Sequence, residues 1–226
     1  MILTYQNTCF IKIPKTGGTT ILSGVAESLG ASRDGTSIQL INPVQAFHRA
    51  HSYYGWHSTA EELRHYLGKQ WETFTCVSII RCPFERIQSI YRWQKQKVTN
   101  TGSKPGRKVR IFMSGQSRPV KNISYFIDSV LNKDEKLTDQ ALLHAIPQVH
   151  WLKLDSKISD RIHLFRTEDI SARYEEIFAL LNVKTTPMIA RNVSTKDEPI
   201  ALASGDIAKL EKLYYEDIEL FNSITL

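Results

Sequence analysis

The sequence predicts a single α/β domain with a central, mostly parallel sheet flanked by helices. Two apolar segments, residues 8–13 (TCFIKI) and 74–80 (FTCVSII), have the continuous β-rich character of strands buried on both faces. Each leads into a segment with helical spacing, and alternating strands and helices are typical of parallel sheets. A chain of 226 residues with 42% hydrophobic content suffices for one sizeable core, whereas two domains would be cramped.

Capping signals and apolar periodicity predict the remaining elements. Ser58 with Glu61 is typical of a capping box, and Gly68 would end the helix that follows. Pro83 occupies the expected first turn of the helix after the second strand. The predicted helices span residues 18–29, 59–67, 84–96, 122–132, 138–146, 168–181 and, starting at a Ser204 cap, about 204–221, with a further strand at 161–165.

Charge and cysteine content narrow the possible partners and compartment. The 29 Lys and Arg residues exceed the 23 acidic ones and give a net charge of +6, which favours anionic partners without choosing among them. The three cysteines lack CxxC spacing, so free thiols in a reducing compartment are expected. No run of ~18 apolar residues predicts a membrane span. A cytoplasmic protein is therefore expected, although a piece of a longer, anchored protein would look the same.

The stretch PKTGGTT, residues 14–20, connects the first strand to the first helix. Its glycines allow backbone N–H groups to approach a phosphate closely, and the helix that follows supplies its positive N-terminus. The threonines add hydroxyl donors, and Lys15 adds a charge. A Walker A loop would place its Lys after the glycines, and this loop does not. A glycine-rich turn that binds no ligand is the alternative.

The second strand ends in a cation where a P-loop nucleotide hydrolase usually has an aspartate that helps to hold magnesium. Arg81 stands at that strand end, and Ser89 lies about two helical turns further on. An arginine there would bind a phosphate directly. Two anion sites at the carboxyl ends of neighbouring strands suit a ligand with two separated phosphates. Taken singly, an exposed Arg and a surface Ser would be the simpler interpretation.

These motifs carry a family resemblance. IPKTGGTT (13–20) resembles the 5′-phosphosulfate loop of sulfotransferases that use 3′-phosphoadenosine 5′-phosphosulfate (PAPS), and IIRCPFERIQSIY (79–91) resembles their 3′-phosphate motif. The similarity is greatest to Golgi carbohydrate sulfotransferases and their bacterial counterparts, the family 2 type. It extends to HSTAEELRHYLGKQW (57–71), IPQVHWL (146–152), LFRTEDI (164–170) and RNVS (191–194). Cys82 departs from the usual Asn or Asp, and Lys12 stands where many relatives have His.

The resemblance implies a P-loop-NTPase-like sulfotransferase fold and a set of site residues. PAPS would be the donor and 3′-phosphoadenosine 5′-phosphate (PAP) the product, with no metal. Arg81 and Ser89 would bind the 3′-phosphate, and residues 191–195 would close over it. Lys15 would also neutralise charge on the bridging oxygen as the S–O bond breaks. The residues implied to hold the 5′-phosphosulfate are Lys15, Thr16, Gly17, Gly18, Thr19 and Thr20.

Transfer to a hydroxyl also needs a base. His48, His51 and His57 cluster before the second helix, and relatives place a catalytic His at the start of the corresponding helix, which favours His57. A surface or cap-adjacent His is the alternative. The resemblance implies a carbohydrate or glycolipid acceptor, and it would place the chain in the Golgi lumen if it is a piece of an anchored protein. Nucleic acid is not expected as a partner, because the basic residues are scattered among acidic ones.

Two other functions compete with sulfotransfer. A P-loop nucleotide kinase would bind ATP with magnesium, but the position of Lys15 and the missing strand-end Asp argue against it. A non-enzymatic binder of nucleic acid or anionic glycan would show steeply salt-dependent binding and no need for Lys15. Acceptor choice would depend on the irregular segment 31–56 and on the basic, glycine-punctuated stretch 99–121, which is predicted to be a loop or flexible flap.

Overall fold

The computed structural model describes residues 2–3, 6–30, 57–102, 121–134, 137–189 and 200–224. Predictions on segment 31–56, including His48 and His51, on most of the basic stretch and on residues 191–195 lie outside these ranges. Contacts divide the chain into two compact units. The first contains Met1–Arg81, Gln148–Val193 and Leu220–Leu226, and the second contains Cys82–Pro147 and Ser194–Glu219. The expected single domain stays a prediction.

The first unit is built on a four-stranded sheet in the order β1-β2-β3-β6. Strands β2, β3 and β6 are parallel to one another, and the two-residue β1 pairs antiparallel at the edge. The predicted mostly parallel α/β sheet is thus confirmed. The strands are β1 (Ile2–Leu3), β2 (Thr8–Ile11), β3 (Thr75–Ile80), β4 (Lys153–Leu154), β5 (Lys157–Ile158) and β6 (Ile162–Arg166), of which β4 and β5 form a separate antiparallel pair.

Nine α-helices occur among the described residues. They are α1 (Gly18–Ser28), α2 (Ala60–Leu67), α3 (Pro83–Gly102), α4 (Ile123–Leu131), α5 (Asp139–Ala145), α6 (Gln148–Leu152), α7 (Tyr174–Leu180), α8 (Ser204–Leu213) and α9 (Tyr215–Ser223). None of those within the described ranges combines the length and the apolar character needed to cross a membrane. Short 3-10 turns occupy Gly68–Thr73 and Thr167–Asp169.

The core of the first unit forms because both central strands are apolar on both faces. Phe10 and Val77 lie on neighbouring strands and pack with α1 and α7 residues such as Phe178. The few polar side chains in these strands are satisfied by backbone carbonyls, as buried hydroxyls must be. Thr8 Oγ1 donates to Leu181 O at 3.0 Å, and Ser78 Oγ donates to Ile11 O at 2.8 Å.

All three cysteines are free thiols, as predicted. Cys9 and Cys76 are fully buried and lie directly opposite each other in the β2–β3 register. Cys82 is partly exposed just before α3. A disulfide framework is therefore not part of this fold.

The second unit has its own helical core. Ile90 of α3, Phe126 of α4 and Ala141 of α5 pack with Leu210 and Tyr214 at the end of α8. The Tyr214 hydroxyl donates to Ala145 O at 2.7 Å. A phenol that is buried yet bonded adds large apolar area without an unsatisfied polar atom.

Several predicted helix boundaries were wrong, each for a local reason. The capping box of α2 is formed by Thr59 and Glu62, one residue later than the predicted Ser58 and Glu61. Thr59 Oγ1 accepts from Glu62 N at 3.1 Å, and Glu62 Oε2 accepts from Thr59 N at 2.8 Å. Both pairs satisfy the spacing rule, so the sequence pattern alone did not decide the register.

Three other boundaries shifted. Helix α3 continues to Gly102, so residues 99–102 are helical and not loop. The helix predicted over 168–181 begins only at Tyr174, after the 3-10 turn that follows β6. The last predicted helix divides at Tyr214, whose backbone leaves helical geometry (φ −110°, ψ 26°), and its N-cap is Ala203 rather than Ser204.

Candidate active site

The loop between β2 and α1 has the backbone shape of an anion cradle. Lys15 and Gly17 both adopt positive φ, 67° and 80° respectively. Gly17 is the N-cap of α1 and provides no side-chain acceptor for the first N–H groups of the helix. These groups and the helix dipole together attract negative charge. The 11-residue α1 therefore begins where the sequence placed the phosphate-binding loop.

Packing crowds both loop glycines, and Gly17 also has a positive φ that favours glycine. A Cβ atom on Gly17 would lie 3.0 Å from Ile170 Cδ1, and one on Gly18 would lie 3.2 Å from Lys12 Cγ and from Phe10 Cε1. These contacts are tighter than most real Cβ contacts, so the neighbours would have to move. The sequence pattern predicted only the need for close approach to a phosphate, and it did not show the crowding of Gly18 by Phe10 of β2.

The three threonines of the loop differ in burial. Thr16 is buried and its Oγ1 donates to Ile13 O at 3.1 Å, so this hydroxyl stabilises the turn itself. Thr19 is half-buried, and Thr20, also buried, has its backbone N–H bonded to Gly17 O at 2.9 Å.

Lys15 and Arg81 lie close enough in the structure for their charges to interact. Arg81 directly follows β3, and its charge acts on the Lys15 ammonium. Burial, and secondarily repulsion from Arg81, lowers the pKa of Lys15 to about 8. Burial also lowers the pKa of Lys12. Cations with depressed pKa values in one region favour an anion that would offset both burial and repulsion.

Thr167 ties the loop to the end of β3, and the sequence analysis did not identify this residue as part of the site. It begins the 3-10 turn after β6, and its Oγ1 lies 2.9 Å from Thr16 O and 3.0 Å from Ile80 O. One hydroxyl proton is thus shared between carbonyls of the two predicted anion-binding segments. The only signal in the sequence was the position of a Thr just beyond a strand, within the LFRTEDI segment.

His57 is held by the backbone just beyond the end of β2. Its Nδ1 lies 2.8 Å from Lys12 O. A carbonyl oxygen only accepts, so Nδ1 carries the hydrogen, and the lone pair of the neutral imidazole lies on Nε2. The ring is half-buried and meets the buried Trp151 edge-on, with centroids 5.9 Å apart. Among the described residues, no group of three His, Cys, Asp or Glu side chains could hold a metal ion.

The second unit contains the other residues of the predicted 3′-phosphate motif. Ser89 is half-buried on α3. Arg86, three residues earlier, is only 1% exposed, and its guanidinium donates to His144 O at 2.5 Å and to Ile146 O at 3.0 Å. Arg86 therefore acts as an internal bridge between the start of α3 and the end of α5.

Comparison with known families decides the identity. The chain matches the family model described as Sulfotransferase family over residues 4–222. The chain belongs to the sulfotransferase family. No curated protein and no solved structure matches the sequence significantly. Enzymes of this family in general take the sulfuryl group from PAPS, release PAP and sulfate a hydroxyl-bearing acceptor. This family membership agrees with the predicted sulfotransferase activity. It does not agree with the kinase or the non-enzymatic alternative.

Replacing Thr167 by Val should weaken binding of PAP because the loop and the end of β3 lose their common hydroxyl. The substitution keeps the volume and one methyl group but leaves two carbonyls without this donor. We expect PAP affinity, measured by calorimetry, to fall roughly two- to tenfold and stability to fall by about 1 kcal/mol.

Thr8→Val is the matched control, since it also removes a buried Thr hydroxyl from a backbone carbonyl, Leu181 O. It should lower stability by a similar amount, about 1 kcal/mol, without changing PAP affinity. Equal effects of the two variants on PAP binding would show that Thr167 does not act on the site.

Proposed function

We propose that this sulfotransferase transfers the sulfuryl group of PAPS to a hydroxyl of a carbohydrate or glycolipid, with His57 as general base. The observation that carries the proposal is the Lys15–Arg81 pair beside the N-terminus of α1. Both cations follow the carboxyl ends of parallel strands, where open α/β sheets bind their ligands. The pair has two positive charges, and a donor with separated phosphate groups would supply matching negative ones.

The loop fits the 5′ end of the donor. Its glycine turn and the first N–H groups of α1 suit a tetrahedral anion, and its basic side chain is near a second cation. Arg81, with Ser89 of α3, would hold the 3′-phosphate. The residues proposed for the 5′-phosphosulfate are Lys15, Thr16, Gly17, Gly18, Thr19 and Thr20.

The chemistry then needs one base and one cation. His57 Nε2 would accept the proton of the acceptor hydroxyl while that oxygen forms its bond to sulfur. The Lys15 ammonium would stabilise the negative charge left on the bridging oxygen as the original S–O bond breaks. The hydrogen bond from His57 Nδ1 to Lys12 O supports this role because it fixes the tautomer with its lone pair on Nε2.

The acceptor class rests on the resemblance of the motifs to carbohydrate sulfotransferases. We therefore propose a sugar hydroxyl, with nucleic acid not a partner. For the compartment we propose the cytoplasm, which free cysteines favour, or the Golgi lumen if the chain is a piece of a longer anchored protein. A screen of glycans and glycolipids with PAPS, followed by PAP release, would identify the acceptor.

Calorimetric titration tests the donor site directly. We expect PAP to bind equally well in EDTA and in magnesium, and ATP to bind weakly in both. Arg81→Ala should lose roughly ten- to a hundredfold in PAP affinity, the worth of a charge-assisted hydrogen bond. Magnesium-dependent ATP binding, or an absence of PAP binding, would contradict the proposal.

Affinity for PAP should fall as the pH rises through about 8. The pKa of Lys15 is lowered to about 8, so the unliganded protein loses this charge above that pH, whereas the bound anion favours the charged form. Above the pKa, affinity should fall by up to about tenfold per pH unit. Lys15→Arg should remove this slope because a guanidinium stays charged. If Lys12→Arg removes the slope and Lys15→Arg does not, Lys15 is not the titrating group.

His57→Asn tests the base while keeping the structural hydrogen bond, since the Asn amide can still donate to Lys12 O. The turnover rate should fall roughly 10²–10⁴-fold, with PAP affinity unchanged. His65→Asn, on the exposed face of α2, is the control and should leave turnover unchanged. A rate for His57→Asn close to that of the wild type would exclude His57 as the base.

A further inference from the structure

One buried side chain binds both backbone polar groups of Arg81. Gln148, the first residue of α6, is fully buried. Its Oε1 accepts from Arg81 N at 2.9 Å, and its Nε2 donates to Arg81 O at 2.9 Å. The two residues are 67 positions apart in the sequence, so the contact exists only in the folded protein.

Arg81 needs such a partner because it is the first residue beyond the sheet. The β3–β6 register ends with Ile80 opposite Arg166. Arg81 itself stands outside this ladder, and Gln148 provides the donor and acceptor that a neighbouring strand would otherwise supply. The peptide group between Ile80 and Arg81 is thus held at both ends, its carbonyl by Thr167 and its N–H by Gln148.

The chemistry of this contact selects a neutral primary amide. Gln and Asn alone among side chains present an amide N–H donor and a carbonyl acceptor side by side. An ionised carboxylate has no hydrogen to donate to the Arg81 carbonyl. An aliphatic side chain would bond neither the N–H nor the carbonyl of Arg81. The Gln148 side chain thus forms a two-point contact that fixes where the Arg81 side chain begins.

We propose that Gln148 is a positioning residue that makes the donor site selective for nucleotides with a 3′-phosphate. It acts through Arg81, so this inference rests on the proposed function. A guanidinium recognises a phosphate by direction as well as charge, and that direction is lost if the backbone of Arg81 moves. The contact therefore contributes to the preference for PAP over adenosine 5′-phosphate, which lacks the 3′-phosphate.

The test compares the affinities of PAP and adenosine 5′-phosphate in four proteins. They are the wild type, Gln148→Met, Arg81→Ala and Gln94→Met. Methionine keeps the length of glutamine but neither donates nor accepts an N–H···O bond. Gln94 is also fully buried, but its Oε1 accepts from Thr138 Oγ1, within the second unit. Gln94→Met therefore controls for the loss of a buried amide.

We expect Gln148→Met to bind PAP about tenfold more weakly while its affinity for adenosine 5′-phosphate is unchanged, as loss of a supporting hydrogen bond implies. Gln94→Met should change neither affinity. An unchanged PAP preference in Gln148→Met, or an equal loss for both nucleotides, overturns the role of Gln148. An unchanged preference in Arg81→Ala overturns the 3′-phosphate assignment itself, so the two failures are distinguishable.

Amide hydrogen exchange provides a second measurement that needs no variant. The Arg81 N–H is bonded to a buried side chain, so it should exchange slowly in the wild type and more slowly still with PAP. Adenosine 5′-phosphate should not produce this further slowing. Fast exchange of the Arg81 amide, or equal slowing by the two nucleotides, overturns the proposal even if Gln148→Met does not fold.

Discussion

The burial of the Lys15 ammonium, with the charge of Arg81 acting on it, is the constraint on which the organisation of this site depends. Burial is the larger cause of the lowered pKa of Lys15 and repulsion from Arg81 is the smaller one, so both disfavour the charged ammonium. Lys15 and Arg81 are neighbours because the parallel register of β2 and β3 places the ends of both strands at one edge of the sheet. Binding of a polyanionic donor would relieve the repulsion.

Polar side chains hold the backbone in place at this edge of the sheet. Thr16, Thr167, Gln148 and His57 all bond backbone groups near the ends of the strands. None of these four needs a charge for that contact. Neutral hydrogen bonds fix the backbone without adding to or cancelling the positive potential. The scaffold and the electrostatics of the site are therefore supplied by different residues.

The sequence predicted what depends on local pattern and missed what depends on distant contacts. Apolar runs and the alternation of strands with helices predicted strands β2 and β3 and the helix after the glycine loop. Thr167 and Gln148 contact residues 151 and 67 positions away in the chain, and an isolated Thr or Gln has no periodicity to reveal that.

Boundary errors had a similar cause. The sequence pattern allowed either Ser58 or Thr59 as the N-cap of α2, and the structure has Thr59. The helix break at Tyr214 occurs at a residue whose hydroxyl donates to Ala145 O within the second unit. Arg86 shows the opposite case, since this residue of the predicted 3′-phosphate motif is an internal support that bonds His144 O. Motif membership thus did not distinguish ligand contact from packing.

The hydrogen bond of His57 has a consequence for how freely the site can vary. Its partner is the main-chain oxygen of Lys12, which every amino acid possesses. The side chain at position 12 can therefore be exchanged without removing the group that sets the imidazole tautomer. Such a position is open to evolutionary change and to engineering. The side chain that replaces lysine there must still fit beside Gly18, because the stem of Lys12 passes close to that glycine.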